Sequence, residues 1–434
     1  MNKLECIKVL KNPAVLCVVL FILNVLLVWP GEMSSDSQVQ YNMAVSGIYN
    51  DHHPPLMAFL WHYLDKICQG SGLILVLHLA LLHSSIYYLV KSFPLISARY
   101  TFLLLPWLPN VFVYSSMIWK DIGFTFCMLF ALSFLTYVTS QNKKLKIINL
   151  LLLFCLLIYG SSVKFHGQYC AAIPLLWMVY IQAGYQKIWK KLFQNTMVFF
   201  GLFYLILNSI NPIFIPNLTI NHSWQYVKFY DLAAISVKNN QDYFPAFVKN
   251  PHFTLEELKN IYKPSAVDTL VFSDNALLHL CHTEAERQQL WSQWFHTIVQ
   301  HPLDYLQHRS VNMAYILLST PLFDKGLILL QYMATPGTSS YKVGYVILRI
   351  LGYALSAHFL PVLLGFGYCM LSLATLRLTW VALPLLCFSM VTVCMTSLLF
   401  FLTMAGVPRY TYICVCLVHA SHLLAYRCWQ ARCK

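Results

Sequence analysis

The chain has 434 residues, of which 58% are hydrophobic and only 10% charged. A soluble domain carries about a quarter charged residues, so the composition excludes an ordinary soluble enzyme and places the chain in the membrane class. The net charge of +13 invites a nucleic-acid partner, but the basic residues sit in short segments between apolar runs, as the positive-inside rule describes, and no nucleic acid is expected.

The first apolar run, 9–29, follows Lys3, Lys8 and Lys11. A signal peptide starts in the same way, but Trp29-Pro30-Gly31-Glu32 is no small-residue cleavage site, so the run reads as a retained helix. Segment 30–72 is a long outer loop. Pro30-Gly31 breaks the first helix. Ser34 or Ser35 caps a short helix running to about Ile48, on which Asp36 and Gln40 share a face. Asp51-His52-His53-Pro54-Pro55 then makes a rigid turn. The strongly apolar stretch 56–67 follows, with Trp61, Tyr63 and Lys66, and is expected to lie in the membrane interface.

Further crossings are expected at 73–90, 99–116 and 121–139, with Lys120-Asp121 in the turn between the second and third of these. The stretch 150–181 is apolar apart from 161–168, which holds Lys164 and His166. Basic segments flank it on both sides, so it crosses twice, as spans 147–160 and 168–183 of about 21–24 Å at 1.5 Å per residue. Such short helices sink their outer turn below the membrane surface and hold Lys164 at the boundary inside protein, where a charge needs a partner or a task. A crossing at 195–211 leads to a moderately polar insert, 211–342, with helical patterns around 254–262 and 283–298 and a loop at 265–269. The last crossings are 343–371, carrying Arg349 about two turns inside its outer end, 378–404, and 409–426, opened by Arg409-Tyr410.

Lys91/Arg99, Lys143/Lys144/Lys146, Lys187/Lys190/Lys191, Arg377 and Arg427/Arg432/Lys434 join the N-terminal lysines as the cytoplasmic set. Both termini are then cytoplasmic and ten crossings fit. The expected fold is an all-α polytopic membrane protein with a mainly helical extracytoplasmic insert. It divides into a membrane module 1–210 containing the loop 30–72, the insert 211–342 and C-terminal helices 343–434. The 14 cysteines are scattered without a CxxC or zinc spacing and read as small core residues. Cys68 and Cys281 both fall on the expected outer side, where they could pair.

This threading gathers carboxylates, histidines and cations from five separated segments on the outer face: Asp36, Gln40, Asp51 and His53; Lys120 and Asp121; Lys164 and His166; Arg349; Arg409 and Tyr410. Cations suit a phosphate and a carboxylate suits proton abstraction. Each residue also has a plainer reading. Asp36 favours the dipole of its own helix, Lys120-Asp121 forms a self-contained pair, Arg349 snorkels outward and Arg409 anchors the interface.

The series Pro30-Gly31-x4-Asp36-x3-Gln40-x3-Ala44-x2-Gly47-x-Tyr49-x-Asp51-x-His53-Pro54-Pro55 resembles the first outer loop of the GT-C glycosyltransferases, which include protein O-mannosyltransferase-like families. Lys120-Asp121 resembles that family's polar pair after the third helix, and Lys164-Phe165-His166-Gly167 an altered Arg-x-Asn-Gly element. His301-Pro302-x2-Tyr305-Leu306-x2-Arg309 and Arg409-Tyr410 resemble later segments. Two departures, Ser37 in place of a second acid and Lys164 with His166 in place of Arg and Asn, leave the donor lipid and sugar open.

The resemblance implies transfer of a sugar from a polyprenyl-phosphate-linked donor to a lipid, glycan or protein acceptor on the extracytoplasmic face. A bacterial inner membrane is the expected location, with an endoplasmic reticulum membrane as the alternative. Asp36 would be the general base, with Asp51 beside it in the catalytic set. Gln40, His53, Lys120, Asp121, Lys164, His166, Arg349, Arg409 and Tyr410 would bind substrate. No cofactor is required by the pattern, and a divalent metal stays open. A transporter or flippase of lipid-linked saccharides is the alternative; it would need polar residues through the full membrane depth.

Overall fold

The structure is a computed structural model that describes residues 12–93, 101–184, 189–319, 339, 342–347 and 358–433. The described residues are mostly helical, and the strands among them are the two-residue segments Tyr49–Asn50 (β1) and Leu218–Thr219 (β2), paired in parallel. The chain forms two compact units. One comprises 1–219, 358–396 and 411–434; the other comprises 220–357 and 397–410.

In chain order the helices up to β2 are α1 (Pro13–Val28), α2 (Ser35–Ser46), α3 (Leu56–Asp65), α4 (Gly72–Ser92), α5 (Pro109–Ser115), α6 (Lys120–Ser140), α7 (Ile147–Val163), α8 (Gly167–Cys170), α9 (Ala172–Gln182) and α10 (Trp189–Phe214). Then come α11 (Gln225–Asn239), α12 (Leu255–Ile261), α13 (Asp268–Val271), α14 (Glu284–Gln300) and α15 (Pro302–Leu318), followed by α16 (Phe359–Thr375), α17 (Ala382–Leu402) and α18 (Tyr412–Arg432).

Four helical segments are long and apolar enough to cross a membrane: Gly72–Ser92, Lys120–Ser140, Gln194–Phe214 and Ala382–Leu402. Pro13–Val28, Ile147–Val163 and Phe359–Thr375 are apolar but shorter. These helices are consistent with a membrane protein. The expected crossing at 99–116 is not one helix. Pro106 sits in a 3-10 turn over Leu105–Trp107, Leu108 is extended, and Pro109 opens the seven-residue α5. A proline lacks the N–H that would continue the ladder and forces the residue before it out of the helical region. Of the expected crossing at 343–371, residues 348–357 with Arg349 lie outside the described residues, and helix resumes at Phe359.

The first unit is built around α6. Of its apolar window 89% is buried, against 6% for Gln194–Phe214, so α6 is central and α10 peripheral. Helices α4, α7, α9 and α18 pack around α6, which is why Phe124, Phe126, Leu129, Leu132 and Leu135 are buried all round it. Small residues set the close approaches. A Cβ on Gly160 of α7 would stand 3.1 Å from Cβ of Cys127, and one on Gly123 would stand 2.8 Å from Nε2 of His78 on α4.

The second unit has its own core around Phe229, Tyr230, Leu232, Val248, Leu258, Leu270, Leu277 and Leu290. Helices α12 and α14 occupy the two expected helical patterns. Thr254 and Thr283 cap them, and Thr283 makes a capping box with Glu286. The expected loop at 265–269 runs into the single-turn helix α13. Cys68 and Cys281 both hold free thiols, so the pairing considered for them is not formed.

Candidate functional site

Within the first unit the start of α2 is docked onto the start of α6 by a chain of polar contacts. Gly31 has φ +94°, and a Cβ there would meet Ile118 Cδ1 at 2.6 Å and Ser116 O at 3.2 Å, so only glycine suits this turn. Glu32 then runs parallel to Met117: Glu32 N–H donates to Ser116 O at 2.8 Å, and Ile118 N–H donates to Glu32 O at 3.0 Å. Ser34 caps α2 and forms a capping box with Ser37. Ser37 Oγ also donates to Ile118 O at 2.7 Å, and Trp119 Nε1 donates to Ser34 Oγ at 2.6 Å. The cap that starts one helix thus pins the residues that start the other.

The loop returns through a second set of contacts. Gly47 closes α2 in the left-handed conformation at φ 68°. Asp51 N–H donates to Thr219 O at 3.2 Å, extending the β1–β2 pair. Pro54 and Pro55 lead into α3, whose buried residues are Leu56, Met57, Ala58 and Trp61. Helix α3 packs against α2: His62 Nδ1 lies 2.6 Å from Ala44 O, and Tyr41 donates to Asp65 at 2.9 Å. Helix α3 also contacts α4 and α7, while Tyr63 and Ile67 of the same apolar stretch stay exposed.

This arrangement buries the His53 imidazole between two segments. Nδ1 lies 2.6 Å from Lys120 Nζ and Nε2 lies 4.0 Å from Asp36 Oδ1. With Lys120 as an ammonium, which only donates, Nδ1 is the acceptor and the ring proton is assigned to Nε2, the nitrogen facing Asp36. The Asp36 side chain is 27% exposed and that of His53 8%, so the carboxylate marks the open end of the series. Asp36 also lies in the first turn of α2, where the N-terminal partial charge favours a carboxylate. Beside this series, Asp121 and Lys164 form a buried ion pair, each side chain less than a tenth exposed. Lys164 follows α7 in extended conformation, and the turn 165–166 leads into α8. A Cβ on Gly167 would stand 2.9 Å from Phe124 Cε2 and 3.1 Å from Ser161 Cα, so this turn is pressed directly onto α6.

Asp36, His53 and Lys120 are thus brought together, and Asp121 with Lys164 beside them. Gln40 is fully buried one turn after Asp36; its amide Nε2 reaches Asp36 O at 3.4 Å while Oε1 has no hydrogen-bond partner among the described residues. Asp51 and His166 are half-buried. Lys120-Asp121 is not a self-contained pair, since Lys120 reaches His53 and Asp121 reaches Lys164. Lys164 is paired with Asp121. Arg409 and Tyr410 belong to the second unit, where the guanidinium lies 5.6 Å from the Tyr410 ring centroid in the turn Pro408–Thr411. Among the described residues no group of three or more His, Cys, Asp or Glu side chains is gathered as a metal ion would need.

The second unit contains a buried charged cluster. Asp231 Oδ2 accepts from Arg309 Nη2 at 2.6 Å and from Trp294 Nε1 at 2.9 Å, and its Oδ1 lies 3.5 Å from His308 Nε2. Tyr262 OH lies 3.1 Å from His308 Nδ1. Burial pushes the His308 imidazole below its ordinary range, against the pull of Asp231. Lys228, on the same helix as Asp231, puts its Nζ 4.0 Å from the ring centroid of Trp291, 4.4 Å from Trp224 and 4.5 Å from Trp294. Burial there holds its ammonium down at about 8. The sequence carried a trace of this cluster in Tyr305 and Arg309, one helical turn apart; Asp231 gave no sign of being the partner of Arg309.

Compared with protein-family models, with curated proteins and with solved structures, the chain matches none.

Proposed function

We propose that the chain is a GT-C-type membrane glycosyltransferase crossing the bilayer about ten times. It would move a sugar from a polyprenyl-phosphate-linked donor to an acceptor at the extracytoplasmic face. One observation carries this: Asp36 and His53 of the loop 30–72 and Lys120 at the start of α6 form one series with a carboxylate at its open end. Asp36 takes the proton of an acceptor hydroxyl as that oxygen attacks the anomeric carbon. The bond from that carbon to the phosphate oxygen breaks with inversion, and the lipid phosphate leaves with the electron pair. His53, with Nε2–H towards Asp36, orients the carboxylate. Lys120 fixes the histidine tautomer and adds positive charge near the leaving group. Asp121 and Lys164 hold the turn at 164–167 against α6.

A transporter of lipid-linked saccharides is favoured by a different observation. Asn110 Nδ2 lies 3.2 Å from His419 Nε2, His419 Nδ1 lies 3.1 Å from His422 Nε2, and His422 Nδ1 lies 2.7 Å from Tyr368 OH. That is a polar chain among otherwise apolar helices. Vesicles reconstituted with the full chain and a panel of synthetic polyprenyl-phosphate sugars separate the two. A transferase generates free polyprenyl phosphate in the presence of acceptor. A transporter moves the intact lipid between leaflets and leaves it unchanged, which would refute the transferase proposal.

A further inference from the structure

Helix α14 of the second unit has two faces of different character. Leu290, Trp294, Thr297 and Ile298 turn into the unit, and Leu290, Trp294 and Ile298 pack on its apolar core. On the other side Trp291, Phe295 and Val299 are 53%, 58% and 61% exposed. Their four-residue spacing places them in one stripe along the helix. Leu303, 77% exposed, continues it at the start of α15. From 288 to 303 the sequence contains no Asp, Glu, Lys or Arg. A helix face held in water normally carries charges, and a continuous exposed apolar stripe marks a surface that meets something else.

The composition and shape of the stripe indicate what it meets. It runs along the outer face of one helix. Its flanking residues Gln288, Ser292, His296 and Gln300 include no Asp, Glu, Lys or Arg; the charged groups near it are Lys228 against the Trp291 ring and the Glu284–Arg287 pair one turn earlier. Trp and Phe beside neutral polar residues match the headgroup layer of a bilayer, where amphipathic rings accumulate. Trp291 is also held ready, because the Lys228 ammonium lies 4.0 Å from its ring centroid. The covalent tether is short. Ile220, where the second unit begins, comes six residues after Phe214, the end of a segment long and apolar enough to cross a membrane, and six residues reach at most about 20 Å.

We propose that α14 lies along the phospholipid surface with Trp291, Phe295 and Val299 inserted among the headgroups. The stripe is then a lipid-contact surface that seats the second unit on the membrane, independently of any chemistry at Asp36.

Photo-crosslinking of the full chain in phosphatidylcholine/phosphatidylglycerol nanodiscs tests this. The photoreactive residue p-benzoylphenylalanine is placed at Phe295, at Val299, or as a control at the exposed Glu256 of α12, and adducts are identified by mass spectrometry after irradiation. Phospholipid adducts at 295 and 299 are expected to exceed those at 256 by about tenfold. Lipid adducts no more frequent than at 256, or adducts to a second copy of the chain in their place, would overturn the proposal. Two insertion positions keep the test decisive if one variant fails to fold, which its thermal midpoint reports.

Discussion

Lys120 Nζ lies 2.6 Å from His53 Nδ1 across 67 residues of sequence. Because the ammonium can only donate, this contact sets the histidine tautomer and directs Nε2–H towards Asp36. Replacing Lys120 by Met removes the donor and frees the ring to place its proton on either nitrogen. The expected result is a fall in sugar transfer of roughly ten- to a hundredfold, together with an altered pH profile. Lys120→Arg, which keeps a donor, is expected to retain more activity. An unchanged rate and pH profile in Lys120→Met would show that the contact does not position the site.

The buried Asp121–Lys164 pair makes a prediction about stability. Removing one member leaves a buried charge uncompensated, at a cost of about 3–5 kcal/mol. Lys164→Met and Asp121→Asn should each lower the thermal midpoint in detergent. The double variant leaves no lone charge and should recover much of the loss. Strictly additive losses would show that the two side chains do not act as a pair.

How much of this was legible in the sequence depends on range. A serine N-cap at 34 or 35, the helix after it and the four long apolar helices were legible because they rest on local chemistry and local periodicity. The break around Pro106 and Pro109 was present in the residues but hidden in an apolar average. The pairings were not legible. Lys120 and Asp121 are neighbours in sequence and read naturally as each other's partner, yet one reaches His53 and the other Lys164, 67 and 43 residues away. Asp231 and Arg309 stand 78 residues apart. No periodicity encodes such contacts; packing decides them. Lys164 stood out for the right reason, a charge in a place that demands a partner, while the identity of that partner came only from the fold.

Gly31 should tolerate no side chain. At φ +94°, with Ile118 Cδ1 and Ser116 O in the way, an added Cβ costs backbone strain of about 1–3 kcal/mol and displaces the Glu32–Met117 pairing. Gly31→Ala is expected to lower transfer activity more than stability, because the displacement moves Asp36 relative to His53. A variant with wild-type turnover would show that this docking does not position the carboxylate.

The second unit should show two pH dependences of the same sign. His308 is held below its ordinary value by burial, among Asp231, Arg309, Tyr230 and Tyr262. The unfolded chain therefore binds more protons than the folded one in the window below 6.5, and stability is lost as pH falls through it. Lys228 is held at about 8 against an ordinary 10.5, so stability rises with pH between those values. The thermal midpoint followed from pH 5 to 10 reads both. His308→Phe should flatten the acid limb, and Lys228→Met the alkaline one. Limbs unchanged in these variants would assign them to other groups.

The central claim is that the Asp36 carboxylate removes a proton from the acceptor while sugar leaves the lipid phosphate. It is tested most directly by the single-turnover rate of polyprenyl phosphate release from a synthetic donor that the wild-type chain consumes, compared with Asp36→Asn. Asparagine keeps the size and cannot accept the proton. A loss of about a hundredfold or more, with donor binding retained, is the predicted result. Release at the wild-type rate from Asp36→Asn would contradict it.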